Sequence, residues 1–279
     1  MRKKKVSIQG IEASFHDVAA RKFFGRDIEL VECNSFRLSC EKLIENEADY
    51  CVMAIENSIA GTILTNYNLI TDYKLRIIGE AYLHIELHLM GLNGVRIEEI
   101  EFIHSHPMAI RQCEEFLMRY PDKKVVALND TAECAKNVRE KNLTTTAVIA
   151  GDAAAETFGM TILNSNIETH KKNYTRFLVL TDKNIKISEA NKASISFQLD
   201  NSPRSLMKVV DIFGDYWINM TKIQSIPIVG RPNEYIFLVD LEWDKYANYE
   251  KAITRVLKKT FNLSILGEYR KGNFTNAKS

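Results

Sequence analysis

Apolar and polar positions alternate in two rhythms over residues 6–181. Short apolar runs of strand length are followed by amphipathic stretches of helical period. Val6-Ser7-Ile8 reads as a strand ending at Gly10, and Ser14 starts a predicted helix from Phe15 to Phe24 that Gly25 closes. Ile28 to Val31 is a second strand, Ser39 to Asn46 a helix, Tyr50 to Ile55 a buried strand and Ser58 to Thr71 another helix. This alternation predicts a parallel sheet with helices on its faces.

Leu75 to Gly79 and Ala81 to Met90 read as strands that leave this first lobe. A second lobe follows: strand Ile100 to His104, an amphipathic helix Pro107 to Tyr120, strand Val125 to Leu128, helix Thr131 to Lys141, strand Thr146 to Ala150, and a small-residue helix Ala153 to Phe158 ended by Gly159. Met160 to Leu163 and Phe177 to Thr181 are expected to return to the first lobe. The pattern predicts an α/β domain over 1–182, with lobe 1 at about 1–80 and 160–182 and lobe 2 at about 81–159. Two doubly wound parallel-sheet lobes around a cleft match the plan of periplasmic binding proteins, and such clefts bind ligands at strand carboxyl ends. The polar segment Asp182 to Lys192 reads as a linker. Residues 193–272 then give strand Ala193 to Leu199, helix Ser205 to Tyr216, strands Met220 to Pro227 and Tyr235 to Glu242, helix Tyr249 to Thr260 and strand Leu263 to Tyr269, a small ferredoxin-like βαββαβ module. Asn273 to Ser279 are expected to fray.

Composition narrows the function classes. A 46% hydrophobic and 26% charged chain of 279 residues is that of a soluble globular protein. A net charge of +1 supplies no broad field for nucleic acid or an anionic membrane, so any anion must be held locally. Cys33, Cys40, Cys51, Cys113 and Cys134 form no CxxC pair and read as reduced, buried thiols rather than disulfides or a metal site. The basic start Met1-Arg2-Lys3-Lys4-Lys5 lacks the apolar region of a signal peptide, and no run reaches membrane-spanning length. A cytoplasmic location is expected.

Three segments place a strand end against a predicted helix start: Glu56-Asn57-Ser58, Ser105-His106-Pro107 and Asn129-Asp130-Thr131. Ser105 reads as a cap with Pro107 just inside the helix, and Asp130 and Glu133 have capping-box spacing. Free N–H groups and the positive helix end favour anions there. One helix start contributes about 0.3–1 kcal/mol to an exposed charge and up to ~2 when partly buried. A charged hydrogen bond adds roughly 1.5–3 kcal/mol. Asp130 opposes an anion and is expected to face its own helix. Asn173-Tyr174-Thr175-Arg176-Phe177 sets a hydroxyl beside a guanidinium, the first able to give a proton, the second to clamp a carboxylate. Thr175 and Arg176 point oppositely in a regular strand, so both reach one pocket only through an irregular backbone or a long side chain reaching round. His106, whose ordinary pKa suits proton transfer, competes with Thr175 as donor.

In order along the chain, several blocks resemble the prephenate dehydratase family. Cys51 to Gly61 resembles its PIENSxxG block, with Ala54 where proline is usual. Gly79-Glu80 with Ile85 to Leu89 resembles its strand pair. His104 to Ala109 with Gln112-Cys113 is similar to SHPxAxxQC, Asp130 to Glu133 to STAEAA, and Asn173 to Phe177 to its strand-opening signature. The first loop, Gly10 to Phe15, departs from the usual GPxGT[FY]. The resemblance implies a monofunctional lyase that converts prephenate, a cyclohexadiene dicarboxylate, to phenylpyruvate in phenylalanine biosynthesis, with no metal and no cofactor. It implies Thr175 as proton donor, Arg176 as carboxylate clamp, Asn57, Ser58, Ser105, His106 and Thr131 as further substrate contacts, and Phe177 as an apolar wall.

The same resemblance makes the C-terminal module an ACT regulatory domain and implies a homodimer or homotetramer. The positions of its usual amino-acid site fall on Arg204, Ser205 and Leu206 and on Gln224, Ser225, Ile226 and Pro227, where Arg204 replaces a glycine, Gln224 a glutamate and Ile226 an arginine. Phenylalanine inhibition through the usual site therefore does not follow; an amino-acid effector at this module and a retained dimer with altered or lost sensing both stay open as expectations. Arogenate as substrate, or a non-catalytic two-lobed anion-binding protein, are the alternative readings.

Overall fold

The computed structural model describes residues 2–228 and 230–273; of the fraying expected over 273–279, residues 274–279 lie outside these. The chain divides into two compact units, Met1–Asn66 with Ala81–Phe177, and Tyr67–Glu80 with Leu178–Asn273. The boundary runs along continuous elements, so chain order is given first. The strands are β1 (Lys4–Gln9), β2 (Ile28–Cys33), β3 (Tyr50–Asn57), β4 (Gly61–Thr62), β5 (Arg76–His84), β6 (His88–Gly91), β7 (Phe102–Ser105), β8 (Lys124–Ala127), β9 (Thr146–Ala150), β10 (Thr161–Asn164) and β11 (Tyr174–Thr181). The helices among them are α1 (Phe15–Phe24), α2 (Phe36–Ile44), α3 (Leu64–Asp72), α4 (Pro107–Gln112), α5 (Glu114–Leu117), α6 (Thr131–Glu140) and α7 (Asp152–Phe158).

The first sheet has the order β2-β1-β3-β11-β5, with β4 paired to β3. β1 runs parallel to β2 from Lys4↔Ile28 to Gln9↔Cys33 and parallel to β3 from Val6↔Tyr50 to Ile8↔Val52. Val6, Ile8, Val52 and Ile55 are fully buried, as a sheet covered on both faces requires. The second sheet has the order β10-β6-β9-β7-β8, parallel across β8, β7 and β9 and antiparallel across β6 and β10. Its core joins Met90, Val148 and Ala150 to Ala132, Ala135 and Val138 of α6, the three-residue spacing that keeps one helix face against the sheet.

Four expectations change. β10 pairs antiparallel with β6, so residues 161–164 edge the second sheet instead of returning to the first. The predicted helix from Ser58 begins only at Leu64, because residues 57–62 form the tight β3–β4 hairpin. The long helix from Pro107 is interrupted at Cys113 (φ −108°, ψ 18°), whose N–H is shared between the Ala109 and Ile110 carbonyls. The second sheet is mixed, not parallel throughout.

The other unit carries β12 (Lys192–Gln198), α8 (Ser205–Asp215), β13 (Asn219–Pro227), β14 (Tyr235–Glu242), α9 (Tyr246–Leu257) and β15 (Phe261–Tyr269). Its antiparallel sheet has the order β13-β14-β12-β15. Ile195, Phe197, Phe213, Val239, Leu241, Tyr249 and Val256 fill the space between that sheet and its two helices. Lys192, 3% exposed at its side chain, lies 3.0 Å from Glu80 and 3.2 Å from Glu242, and the Gly272 N–H donates to Glu80 (2.9 Å). Removing one member of this cluster would leave an opposite charge at such depth uncompensated, which is costly.

Candidate active site

A groove of about 400 Å³ opens in the first unit, a volume suited to a small ligand. One wall comes from the first sheet and α1: Ala54, Asn57, Thr175, Phe177, Phe15 and His16. The opposite wall comes from the second sheet and its helices: His106, Met108, Gln112, Asn129, Asp130 and Thr131. The lining includes no lysine or arginine. An anion here must therefore be met by neutral donors.

The side chains of β11 alternate, and Thr175 and Phe177 face the groove. Arg176 is not among the lining residues; it is buried, with Nη1 3.9 Å from the Glu56 carboxylate. The expected pairing of Thr175 with Arg176 in one pocket is thus replaced by Thr175 with Phe177. The backbone stays regular, so the alternation holds.

Asn57 organises the first wall. Its Oδ1 accepts from the Ile59 (3.0 Å) and Ala60 (2.9 Å) N–H groups, which closes the β3–β4 turn. That fixes the amide orientation, because a flipped amide would set its own hydrogens against two N–H donors. Its Nδ2 then donates to Asn173 Oδ1 (2.7 Å) and to Thr175 Oγ1 (2.9 Å). Both amide hydrogens are used, and the Thr175 oxygen is an acceptor. The Thr175 hydroxyl hydrogen has no acceptor among the described residues, on a side chain that lines the groove. Asn173 is fully buried and passes its own Nδ2 to Gln112 Oε1 (3.1 Å). Asn173 is held in turn by the backbone, its carbonyl accepting from the Ile85 N–H (2.7 Å).

On the opposite wall the caps differ from expectation. His106, not Ser105, caps α4, its Nδ1 accepting from the Met108 N–H (3.1 Å). Ser105 is fully buried and donates to the Ile149 carbonyl (2.6 Å), so its hydroxyl bonds across the sheet and not into the groove. With Nδ1 occupied, the His106 proton sits on Nε2. Burial pushes the His106 pKa down, and the neighbouring Asp130 only partly offsets this. Asp130 caps α6 through the Glu133 N–H (2.9 Å) as expected, yet it also lines the groove. Burial raises its pKa against the pull of those helix N–H groups. Gly10, at φ +100°, admits this carboxylate: a Cβ there would stand 2.9 Å from Asp130 Oδ2.

Ser58 sits outside the groove lining, accepting from the Tyr174 N–H (2.9 Å) and donating to the Lys172 carbonyl (3.2 Å). Asn57, His106, Thr131, Thr175 and Phe177 are brought together; Ser58, Ser105 and Arg176 are not. Ser205 and Leu206 open α8, and Gln224 and Ser225 lie on β13, all in the second unit. Sequence reasoning missed His16, Asn173 and Gln112. His16 is buried, accepts from the Ala54 N–H (3.3 Å), and packs edge-on against Phe36 and Phe177. Gln112 could have been found, because Met108, Ala109 and Gln112 share one helical face. Asn173 opens the signature block, but nothing local ties it to its partner Asn57, 116 residues away.

A family model described as prephenate dehydratase matches residues 6–185. The bifunctional chorismate mutase/prephenate dehydratase of Aquifex aeolicus (strain VF5) is 33% identical over 272 residues, covering 97% of this chain and 74% of the relative. Arogenate dehydratase/prephenate dehydratase 2 of Arabidopsis thaliana is 34% identical over 279 residues, covering 95% and 72%. Among solved structures, GqqA, described as a novel type of quorum quenching acylase, has a TM-score of 0.86 at 25% identity over 97% of this chain and 99% of its own. The prephenate dehydratase of Arthrobacter aurescens in complex with L-Phe has a TM-score of 0.83 at 24% identity over 95% and 90%, a likeness of fold.

Proposed function

We infer the reaction from one premise: the chain belongs to the prephenate dehydratase family. It is a carbon–oxygen hydro-lyase that converts prephenate to phenylpyruvate, carbon dioxide and water, a step toward phenylalanine. Loss of carbon dioxide leaves an electron pair that makes the ring aromatic and expels the ring hydroxyl. One proton is consumed, and it must reach that oxygen as its bond breaks.

Thr175 supplies this proton. The observation that carries the assignment is the Asn57 amide, which makes the Thr175 oxygen an acceptor and leaves its hydrogen for the groove. The threonine oxygen is reprotonated from solvent on product release. A placed proton donor contributes about 10²–10⁴-fold. His106 is less suited to donate this proton, because acting as an imidazolium would put a proton on Nδ1 and displace the α4 cap. It is instead a hydrogen-bond donor through Nε2, alongside Thr131 at the start of α6. Phe177, Phe36 and the buried ring of His16 surround the departing carboxylate with apolar surface, which favours its loss. Arg176 is a positioning residue that acts through Glu56 on β3.

The reading is tested by following phenylpyruvate formation from prephenate with purified chain. No product at micromolar enzyme refutes it.

The module formed by β12 to β15 is an ACT-type regulatory domain, a reading supported by its βαββαβ order and central β14-β12 pair. Arg204 holds a left-handed backbone (φ 68°) at the cap of α8, where the family's usual site has a glycine. A bulky, charged residue thus precedes Ser205 and Leu206, and Gln224 turns to its own strand, donating to the Ser225 carbonyl (2.9 Å). Phenylalanine at millimolar concentration leaves the rate unchanged on this reading; inhibition would refute it. The module assembles the chain as a homodimer or homotetramer, which sedimentation at micromolar concentration checks.

A further inference from the structure

We propose that Gln112 is the residue that selects a keto acid over the corresponding amino acid, because a directed chain of amides fixes which end of its carboxamide meets the substrate. The proposal rests on the reaction assigned above.

The chain begins at the backbone. Two N–H groups, from Ile59 and Ala60, point at Asn57 Oδ1 and set that amide. Asn57 Nδ2 then requires an acceptor at Asn173, whose Oδ1 lies at 2.7 Å. This sets the second amide, and Asn173 Nδ2 requires an acceptor at Gln112, whose Oε1 lies at 3.1 Å. Each link leaves one orientation for the next, and the buried position of Asn173 removes water as an alternative partner. Gln112 lines the groove and has no second side-chain partner among the described residues. It therefore presents an NH₂ group, two donors and no acceptor, to whatever lies there.

The same root, Asn57, orients Thr175 at the ring hydroxyl. Prephenate carries its pyruvyl side chain across the ring from that hydroxyl, and arogenate carries an ammonium in place of the keto oxygen. With Thr175 assigned to the ring hydroxyl, the side chain is assigned to Gln112, which together with Ala60 and Met108 also lines a second pocket shared with Arg111, Glu114 and Glu115. An NH₂ donor accepts a keto oxygen or a carboxylate as partner and repels an ammonium. A half-buried donor left facing a second donor loses its partner and disfavours that substrate, the principle by which sites built to hydrogen-bond their substrates discriminate.

The test compares kcat/KM for prephenate and for arogenate in the same preparation. The unaltered chain should favour prephenate by at least tenfold. Gln112→Glu keeps the shape and the bond from Asn173 but faces the groove with an acceptor, so the prephenate-to-arogenate ratio should fall at least tenfold. Asn57→Asp provides a second route that leaves Gln112 in place. The new carboxylate keeps both turn N–H bonds, and Asn173 must then turn its NH₂ toward it. Gln112 must turn in response and show its oxygen to the groove. Both rates fall in that variant, because the carboxylate also takes the Thr175 hydrogen, but the ratio should again move toward arogenate. A structural role for Gln112 would lower both rates by one factor and leave the ratio unmoved, which overturns the proposal. A ratio that moves in Gln112→Glu but not in Asn57→Asp overturns the relay. If the unaltered chain turns over neither compound, the assigned reaction fails; turnover of prephenate without preference fails only this inference.

Discussion

Replacing Thr175 by valine removes one oxygen and keeps the branched shape, so the groove keeps its form. The structural loss is a single bond, that from Asn57 Nδ2 at 2.9 Å, in a side chain 9% exposed. Leaving that amide hydrogen unmatched costs about 1–3 kcal/mol of stability. The catalytic loss is larger: without a placed donor kcat should fall about 10²–10⁴-fold, roughly 3–5 kcal/mol in the barrier. KM should stay within about threefold, because the hydroxyl meets the leaving oxygen as it departs and adds little to ground-state binding. Thr175→Ser should retain most of the rate. Asn57→Ala keeps the hydroxyl but releases its hydrogen from the groove-facing direction, and should lower kcat by less than Thr175→Val does. The double variant should lose less than the product of the two single losses, since both changes remove the aiming of one hydrogen, while the remainder reports the separate arm from Asn57 through Asn173 to Gln112. Steady-state formation of phenylpyruvate measures the rates, and urea unfolding of each variant establishes that it is folded. A Thr175→Val protein of normal stability whose kcat stays within about threefold of the unaltered chain refutes the assignment, and so does a double variant whose losses multiply.

Burial lowers the His16 pKa from 6.5 to about 4, so protonation favours the unfolded chain. Its contribution to stability is complete above about pH 6.5 and is lost as pH falls toward 4, roughly 3 kcal/mol in all. His16→Gln, which keeps an acceptor for the Ala54 N–H, should flatten the pH dependence of unfolding over that window; an unchanged slope contradicts it. Arg176→Leu should lower the melting temperature while KM for prephenate stays within about threefold, because the guanidinium lies outside the groove lining; a tenfold rise in KM would restore the carboxylate clamp. Lys192→Met leaves the Glu80 carboxylate buried without its ammonium partner and should destabilise the second unit by about 3–5 kcal/mol, read as an early transition in denaturant. Coincident unfolding at the unaltered midpoint would show that pair to be dispensable.

What is legible in the sequence follows from the range of the interactions that decide each feature. β14, predicted from Tyr235 to Glu242, is found at those residues because a short apolar run preceded by the turn residues Pro232 and Asn233 is a local signal. The α6 cap is legible for the same reason, Asp130 and Glu133 lying within one turn. Ser58 reads as a helix start, wrongly, because a hairpin closed by a side-chain oxygen uses the same residue types as a cap. Arg176 is drawn into the pocket by its nearness in sequence to Thr175, although the two-residue repeat of a strand already separates them. The hydrogen bonds that aim Thr175 and Gln112 join β3 to the strand-opening segment at Asn173 and to α4, across 116 and 61 residues, and no local pattern records such a bond. That distance also explains how an anion site can exist without a cation in its lining: the donors are neutral amides whose direction, not charge, is set by the fold. Net charge is blind to direction, and for this groove direction is the property that separates a proton donor from a spectator hydroxyl.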